Sequence, residues 1–238
     1  MNIGIIGYGR MGKAIEQLAL QRGHNISVIV DENNSEDIAE QLKGKVDVAI
    51  EFTTPQSGKN NVFDCIEAGI PIVSGTTGWN VVEADMQKIC NEKNSTFFYA
   101  SNFSIGVNIF MDINEKLASL LSDFDSYNAS MVETHHIHKL DKPSGTAISL
   151  AKGIFKNNDK YVNWELKPVK DIRNLEIESL REGEIIGDHK IIWDSEIDTI
   201  EIAHSAKNRT GFALGAVLAA EFVLGKKGFF TMRDLLKL

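Results

Sequence analysis

The segment from Glu133 to Thr146 reads ETHHIHKLDKPSGT and brings several reactive side chains close together. It contains three histidines and two lysines within fourteen residues. Histidine titrates near neutral pH and can donate a proton, whereas lysine supplies a compact positive charge. The closing Ser-Gly-Thr stretch is typical of a helix start, where backbone N–H groups bind anions. These residue types predict a site that binds a small dianion and protonates it.

Two plainer interpretations of this segment stay open from the residues alone. Three histidines on a polar loop can simply be solvated. A zinc site is the other alternative, but His136 and His138 stand two positions apart without a cysteine or a third well-spaced ligand. That spacing gives little support for zinc, so no metal is predicted.

A second reactive segment lies near the start of the chain, where the apolar run Ile3–Ile6 leads into the turn from Gly7 to Gly12, GYGRMG. The first glycine of such a turn permits a tight bend, the second lets the backbone approach a pyrophosphate, and the third allows close helix–strand packing. Asp31 lies 19 residues after Gly12, where a ribose-binding carboxylate is expected. The pattern predicts dinucleotide binding, and a purely structural turn is the alternative.

The elements that position these segments follow from hydrophobic periodicity. Over residues 2–104, short apolar runs alternate with helical spacing, which predicts a right-handed, mostly parallel sheet. A long amphipathic helix follows from Val107 to Leu121, and later strand-like runs succeed one another without helices. We therefore predict an α/β Rossmann-type dinucleotide-binding domain, residues 1–104 and 209–238. A smaller α+β domain with an open mixed sheet is predicted for residues 105–208.

Composition excludes several classes of function. The chain has 238 residues, 43% of them hydrophobic and 24% charged, with a net charge of −8. An acidic balance argues against nucleic-acid binding as the main role. No apolar run approaches the roughly 18 residues of a membrane span. Two cysteines in 238 residues do not indicate a disulfide framework, so we expect a reducing, cytoplasmic location.

With these motifs the chain resembles the 4-hydroxy-tetrahydrodipicolinate reductase family, also called dihydrodipicolinate reductases, of bacterial lysine and diaminopimelate biosynthesis. The family signature E-x-H-H-x-x-K-x-D-x-P-S-G-T appears as Glu133 to Thr146. Further family segments stand at Glu51–Pro55, Ser101–Asn108 and Arg181–His189, so the resemblance runs nearly end to end. It implies NAD(P)H-dependent reduction of 4-hydroxy-tetrahydrodipicolinate to tetrahydrodipicolinate with loss of water. It also implies a homotetramer held by the sheet of the second domain.

The resemblance implies a role for each matching residue. His135 is the catalytic acid/base and Lys139 the companion proton donor. The substrate, a cyclic imine with two carboxylates, is held by His136, Ser144, Gly145 and Thr146. The cofactor site is lined by Gly7, Tyr8, Gly9, Arg10, Met11, Gly12, Asp31, Gly75, Thr76, Thr77, Ala100, Ser101, Asn102 and Phe103.

Three departures from the family pattern concern the nucleotide end. The glycine turn is often one residue longer, an arginine often stands where this chain has Glu32, and the segment from Asp31 to Val46 is short. Adjacent acids at Asp31 and Glu32 repel a 2′-phosphate, so NADH is predicted to be favoured over NADPH. The alternatives are another Rossmann dehydrogenase, of aspartate or homoserine type, and a nucleotide-sensing module without catalysis. Activity with those substrates, or nucleotide binding without turnover, distinguishes them.

Overall fold

The structure is a computed structural model that describes residues 1–208 and 210–238. The chain forms two compact units. Unit 1 contains Met1–Ile105 together with Thr210–Leu238, and unit 2 consists of the intervening residues from Gly106 onward. Residue 209, at which we predict the second segment of the dinucleotide-binding domain to begin, lies outside the described residues.

The first segment of unit 1 alternates strands and helices, as its periodicity predicts. Its elements are β1 (Asn2–Ile6), α1 (Arg10–Gln21), β2 (Asn25–Val30), α2 (Ile38–Leu42), β3 (Val48–Glu51), α3 (Pro55–Glu67), β4 (Ile72–Ser74), α4 (Glu83–Glu92) and β5 (Thr96–Tyr99). All four residues of β3 are buried, as expected for a strand inside a parallel sheet covered on both faces. The five-residue helix α2 was not predicted, because so short a segment shows little helical periodicity.

Unit 2 contains a mixed sheet and two long helices. Its elements are α5 (Ile105–Leu120, whose first residue belongs to unit 1), β6 (Asn128–His135), α6 (Gly145–Asn157), β7 (Asn163–Leu166), β8 (Asn174–Arg181), β9 (Asp188–Asp194) and β10 (Thr199–Ser205). The strand order is β10-β9-β6-β8-β7, with β6 antiparallel to β9 and parallel to β8. The predicted mixed sheet is therefore confirmed. The edge strand β7 was not predicted, because its four residues are too few to establish a strand period.

The last segment completes unit 1 with α7 (Thr210–Val223), β11 (Gly228–Phe230) and α8 (Met232–Leu236). The six strands are parallel in the order β11-β5-β4-β3-β1-β2. The chain leaves β1 first towards β2 and later returns to β3 on its other side, so a topological switch point lies between β1 and β3. Ligands of open parallel sheets bind at such a point, beyond the carboxyl ends of the strands.

Each unit has its own hydrophobic core. In unit 1, apolar side chains of α1 and α7 pack on one face of the parallel sheet, and those of α2, α3 and α4 on the other. In unit 2, Trp193 of β9 is fully buried with residues of β6, β8, α5 and α6. No helix within the described residues is both long enough and apolar enough to cross a membrane.

Candidate active site

Two of the three glycines in the Gly7–Gly12 turn have no room for a side chain. Gly7 has a φ of +93°, and a Cβ there would lie 2.1 Å from the carbonyl oxygen of Phe52. A Cβ on Gly12 would lie 2.2 Å from the carbonyl oxygen of Gly7, so α1 packs directly on the turn. A Cβ on Gly9, by contrast, would meet nothing within 4 Å. The turn is tight at both ends and open in the middle, which leaves the N-terminus of α1 accessible to an anion.

A pocket of about 810 Å³ lies at the carboxyl ends of β1, β2 and β3. Its lining includes four of the predicted cofactor residues, namely Gly7, Tyr8, Gly9 and Asp31. The lining also contains the acids Glu32, Asp37 and Asp64 and, among described residues, neither lysine nor arginine. Volume and position fit the adenosine part of a dinucleotide.

The Asp31 carboxylate is held at the rim of this pocket by its own turn. Its Oδ1 accepts a hydrogen bond from the backbone N–H of Asn33 at 2.8 Å. Its backbone N–H donates to Oδ1 of Asn34 at 2.7 Å. The end of β2 therefore presents an oriented carboxylate, as the sequence predicts for a ribose-binding acid.

The other predicted cofactor residues lie outside the lining of that pocket. Arg10, Met11 and Gly12 form the first turn of α1, and two further groups follow strand ends, Gly75, Thr76 and Thr77 after β4 and Ala100, Ser101, Asn102 and Phe103 after β5. The Phe103 side chain is 2% exposed and packs in the core against Phe52 and Phe98. Three of these side chains, those of Thr76, Ala100 and Phe103, are buried in the interior of unit 1.

A fully buried carboxylate, Glu51 at the end of β3, joins the loops that follow β3 and β4. It accepts hydrogen bonds from the hydroxyl groups of Thr53 (2.5 Å), Ser74 (2.5 Å) and Thr76 (2.7 Å). Thr76 Oγ1 also accepts the backbone N–H of Thr53, which lines the pocket. The sequence alone predicts no role for Glu51, although its segment, Glu51–Pro55, is one of those that resemble the family.

In unit 2, strand alternation places Glu133 and His135 on the same face of β6. Successive strand residues point to opposite faces, and Ala129, Met131, Glu133 and His135 are the buried ones. The register then sets Glu133 opposite His189 of β9 and Ser179 of β8. Three neighbouring strands therefore bring polar groups to one carboxylate, and these groups are far apart in sequence.

The Glu133 carboxylate is fully buried and surrounded by donors. Its Oε1 accepts hydrogen bonds from the Ser144 backbone N–H (3.1 Å), the Ser179 hydroxyl (2.5 Å) and the Arg181 guanidinium (3.3 Å). Its Oε2 lies 3.3 Å from His135 Nδ1, close enough for an ion pair but without the alignment of a hydrogen bond. Burial by itself raises the pKa of Glu133, but the polar contacts with His135, Ser144 and Ser179 outweigh it and hold that pKa well below its usual range.

His189 is a buried neighbour of this carboxylate. Its Nε2 lies 3.7 Å from Glu133 Oε2 and 3.2 Å from the Ser144 hydroxyl oxygen. Burial, reinforced by repulsion from His135, lowers the pKa of His189 to about 4, although the Glu133 charge opposes this. His189 is therefore neutral near pH 7. Its segment, Arg181–His189, resembles the family in sequence, but the sequence alone predicts no role for Arg181 or His189.

The loop after β6 is held in place by Arg181. Its guanidinium donates hydrogen bonds to the backbone carbonyl oxygens of Lys139 (3.1 Å) and Asp141. The Lys139 ammonium lies 2.8 Å from the Asp141 carboxylate, and this contact lowers the pKa of Asp141. His136 is half-buried, and its Nδ1 has no hydrogen-bond partner among the described residues. Lys139 and His136 thus lie on a loop anchored to the carboxylate of Glu133.

The N-terminus of α6 is open to solvent at Gly145. The Ser144 hydroxyl accepts the backbone N–H of Ala147 at 3.2 Å and so caps the helix. A Cβ on Gly145 would meet nothing within 4 Å. The first amides of a helix have no partner inside it, so those of Gly145 and Thr146 face the open end. Ser144 itself is 2% exposed, so of the three predicted substrate residues here it is the one turned inward.

One group of possible metal ligands occurs within the described part of the chain, namely Glu133, His135 and His189. Their ligand atoms lie within 4.8 Å of one another. The Arg181 guanidinium already balances the carboxylate charge at 3.3 Å, which weakens the attraction for a cation. The absence of a metal stays a prediction.

Comparison with known proteins matches both units to the same family. The family model "Dihydrodipicolinate reductase, N-terminus" matches residues 1–103, and "Dihydrodipicolinate reductase, C-terminus" matches residues 106–236. A 4-hydroxy-tetrahydrodipicolinate reductase of Christiangramia forsetii is 44% identical, covering 99% of this chain and 98% of the relative. One of Thermosipho africanus is 35% identical, covering 100% and 98%.

Solved structures show the same fold. A dipicolinate-bound dihydrodipicolinate reductase from Paenisporosarcina sp. superimposes with a TM-score of 0.78 at 22% identity, covering 98% of each chain. A probable dehydrogenase from Thermotoga maritima gives a TM-score of 0.55 at 12% identity, covering 99% of this chain and 92% of the other. At these identities the likeness concerns the fold alone.

Proposed function

The chain belongs to the dihydrodipicolinate reductase family, and we propose that it is a 4-hydroxy-tetrahydrodipicolinate reductase. It reduces 4-hydroxy-tetrahydrodipicolinate to tetrahydrodipicolinate, with loss of water, in lysine and diaminopimelate biosynthesis. The two family models match nearly the whole chain, and the relatives described above carry this name. The observation that carries the proposal is the buried Glu133–His135 pair beside the open N-terminus of α6.

Unit 1 holds the cofactor, a reduced nicotinamide nucleotide, which when bound supplies the hydride. The residues present fit such a group, because Gly9 leaves open space where a backbone must approach a pyrophosphate. The amides at the start of α1 receive the phosphates, and Asp31 accepts from the ribose hydroxyls. Thr76 and Phe103 contribute through their backbone, since their side chains serve the interior.

NADH is preferred over NADPH, by roughly ten-fold in kcat/KM. A 2′-phosphate would stand beside Asp31 in a pocket that also contains three other acids. Two unit charges about 4 Å apart repel by up to roughly 4 kcal/mol near a protein surface before screening by salt. About a third of that, ~1.4 kcal/mol, already gives a ten-fold preference.

Parallel titrations with NADH and NADPH at one ionic strength test this preference. Asp31→Asn should improve the use of NADPH relative to NADH, while the control Glu40→Gln, an exposed acid of α2 outside the pocket, should not. Arg10 and Lys13 are the competing influences. Arg10 begins α1, and the Lys13 ammonium lies 5.7 Å from the ring centroid of Tyr8 in the pocket lining. Equal or better use of NADPH by the wild type would show that the Asp31 carboxylate does not disfavour a 2′-phosphate.

Unit 2 binds the substrate, a cyclic imine with two carboxylates. A carboxylate binds the amides of Gly145 and Thr146, and His136 and Lys139 add polar and positive groups beside it. His135 as imidazolium, or Lys139, supplies the proton that the reduced substrate requires. The neutral His189 and the paired Arg181 hold these groups without taking part in proton transfer.

The protein is proposed to be a cytoplasmic homotetramer assembled through the sheet of unit 2. The buried face of β6 packs in the core of unit 2, whereas Val132 on its opposite face is half-buried. Leu180 of the adjacent strand β8 is 41% exposed. Apolar groups on an open sheet face support association with further copies. Light scattering coupled to gel filtration measures the assembly.

A coupled assay tests the reaction itself. The substrate is generated in place from pyruvate and aspartate semialdehyde, and oxidation of the reduced nucleotide is followed by absorbance. Turnover is expected only when both precursors and their condensing enzyme are present. Turnover with aspartate or homoserine substrates instead would favour another dehydrogenase. Nucleotide binding without turnover of any of these would favour a sensing module.

A further inference from the structure

We propose that Glu133 is the positioning residue of this site, and that its buried carboxylate holds His135 as the Nδ1–H tautomer with Nε2 left for proton exchange. The inference rests on the proposed role of His135 as acid/base. The inference adds Glu133 to the site. The Glu133 side chain is fully buried and so does not itself contact the substrate.

The two oxygens of Glu133 have different surroundings. Oε1 is saturated by the Ser144 backbone N–H, the Ser179 hydroxyl and the Arg181 guanidinium. Oε2 lies 3.3 Å from His135 Nδ1 and 3.7 Å from His189 Nε2, and it has no hydrogen-bond partner among the described residues. A buried carboxylate oxygen requires a donor, and one of these nitrogens must supply it.

The distances to Oε2 identify His135 as that donor. His189 Nε2 lies 3.2 Å from the Ser144 hydroxyl oxygen and 3.7 Å from Glu133 Oε2, so it is hydrogen-bonded to Ser144 and lies too far from Oε2 to donate to it. His135 Nδ1 lies closer to Oε2, at 3.3 Å. The donor for Oε2 is therefore the N–H of His135 at Nδ1, and a small rotation of the ring aligns it.

The same carboxylate couples the acid to the substrate end of the site. Ser144 donates its backbone N–H to Glu133 and caps α6, whose open end begins at Gly145. Arg181 binds Glu133 and the backbone carbonyl of Lys139. One group therefore sets the orientation of the proton donor relative to the proposed anion site.

Glu133→Gln in the full chain tests the role. The amide oxygen can still accept from Ser144, Ser179 and Arg181, but the amide N–H₂ faces His135 Nδ1 and donates to it, which enforces the Nε2–H tautomer. We expect kcat to fall by about 100-fold, while KM for the substrate and the nucleotide affinity change less than about three-fold. The histidine ¹⁵N spectrum should show His135 changing from Nδ1–H to Nε2–H.

The matched control is Glu165→Gln, the same carboxylate-to-amide change on β7, at a side chain that accepts from Lys170 N and Asn174. It should leave kcat and the His135 spectrum unchanged. Glu133→Asp keeps the charge and should recover part of the lost kcat.

Three results would overturn the proposal. They are a folded Glu133→Gln variant with more than a third of wild-type kcat, a wild-type spectrum with His135 as Nε2–H, and stoichiometric Zn²⁺ binding to the wild type that Glu133→Gln abolishes. Should Glu133→Gln fail to fold, the wild-type spectrum still decides. That spectrum is also independent of turnover, so a failure of the proposed reaction is distinguishable from a failure of the tautomer assignment.

Discussion

Replacing Gly187 by alanine should disturb His135 directly. Gly187 immediately precedes β9, and a Cβ there would lie 3.0 Å from His135 Nε2 and 3.3 Å from its Cδ2. Its φ lies outside the left-handed region, so an alanine adds no backbone strain. The substitution therefore acts through the contact with the ring, at the nitrogen assigned to proton exchange.

The size of the effect follows from that contact. Non-bonded heavy atoms are in favourable van der Waals contact at about 3.5 Å or more. The His135 ring must therefore move away from the new Cβ by roughly 0.5 Å. A misplacement of about 1 Å in an active site can cost about 100-fold in rate, so half of that predicts roughly ten-fold in kcat, or ~1.4 kcal/mol. Glu133 lies 3.3 Å from the other ring nitrogen, Nδ1, and restricts the paths by which the ring can move.

The measurement is steady-state kinetics of the coupled reaction, with nucleotide affinity determined separately by titration. We expect kcat to fall for Gly187→Ala and the nucleotide affinity to stay constant, because the pocket with Gly9 and Asp31 belongs to unit 1. The control is Gly211→Ala in α7, where the nearest atom to a new Cβ is 4.0 Å away. A Gly187→Ala enzyme with kcat within two-fold of the wild type would refute the reasoning.

Three further predictions concern the same unit. His135→Gln should lower turnover by at least 100-fold, the order expected for loss of a positioned acid, with nucleotide affinity nearly intact, and turnover above about a tenth of wild type would contradict its role. Lys139→Ala should raise KM by roughly ten- to a hundred-fold, since a charge-assisted hydrogen bond contributes about 1.5–3 kcal/mol, and an unchanged KM would place the anion site elsewhere. Burial lowers the pKa of His189 from 6.5 to about 4, so between these values the unfolded chain binds more protons than the folded one. The free energy of unfolding should therefore fall as the pH falls from 6.5 to 4, by up to roughly 3 kcal/mol, and denaturant titrations should show a shallower dependence in His189→Gln.

Long, strongly patterned elements were predictable because local residue order encodes them. The helix expected from Val107 to Leu121 is observed as Ile105–Leu120, and the mixed sheet follows where strand-like runs lack helices between them. The elements that were missed, α2, β7 and β11, have three to five residues. Such short segments carry too few positions to display a period, and they form because their neighbours supply hydrogen-bond partners and packing surfaces.

The sequence by itself predicted the candidate site segments that are contiguous along the chain. The Gly7–Gly12 turn, the Asp31 carboxylate and the run from His135 to Thr146 each depend on spacing within a single strand–turn–helix or strand–loop–helix unit. Such a unit is predictable because the residues that define it are close together in the sequence.

Only the tertiary structure decided which residues surround Glu133 and His135. Ser179, Arg181 and His189 reach Glu133 because β8 and β9 flank β6 in one particular register, and a shift of one residue would turn each side chain to the other face. The inward position of Ser144 and the contact between Gly187 and His135 depend on that same register. Strand register is set by burial summed over the whole sheet, so no local pattern contains it.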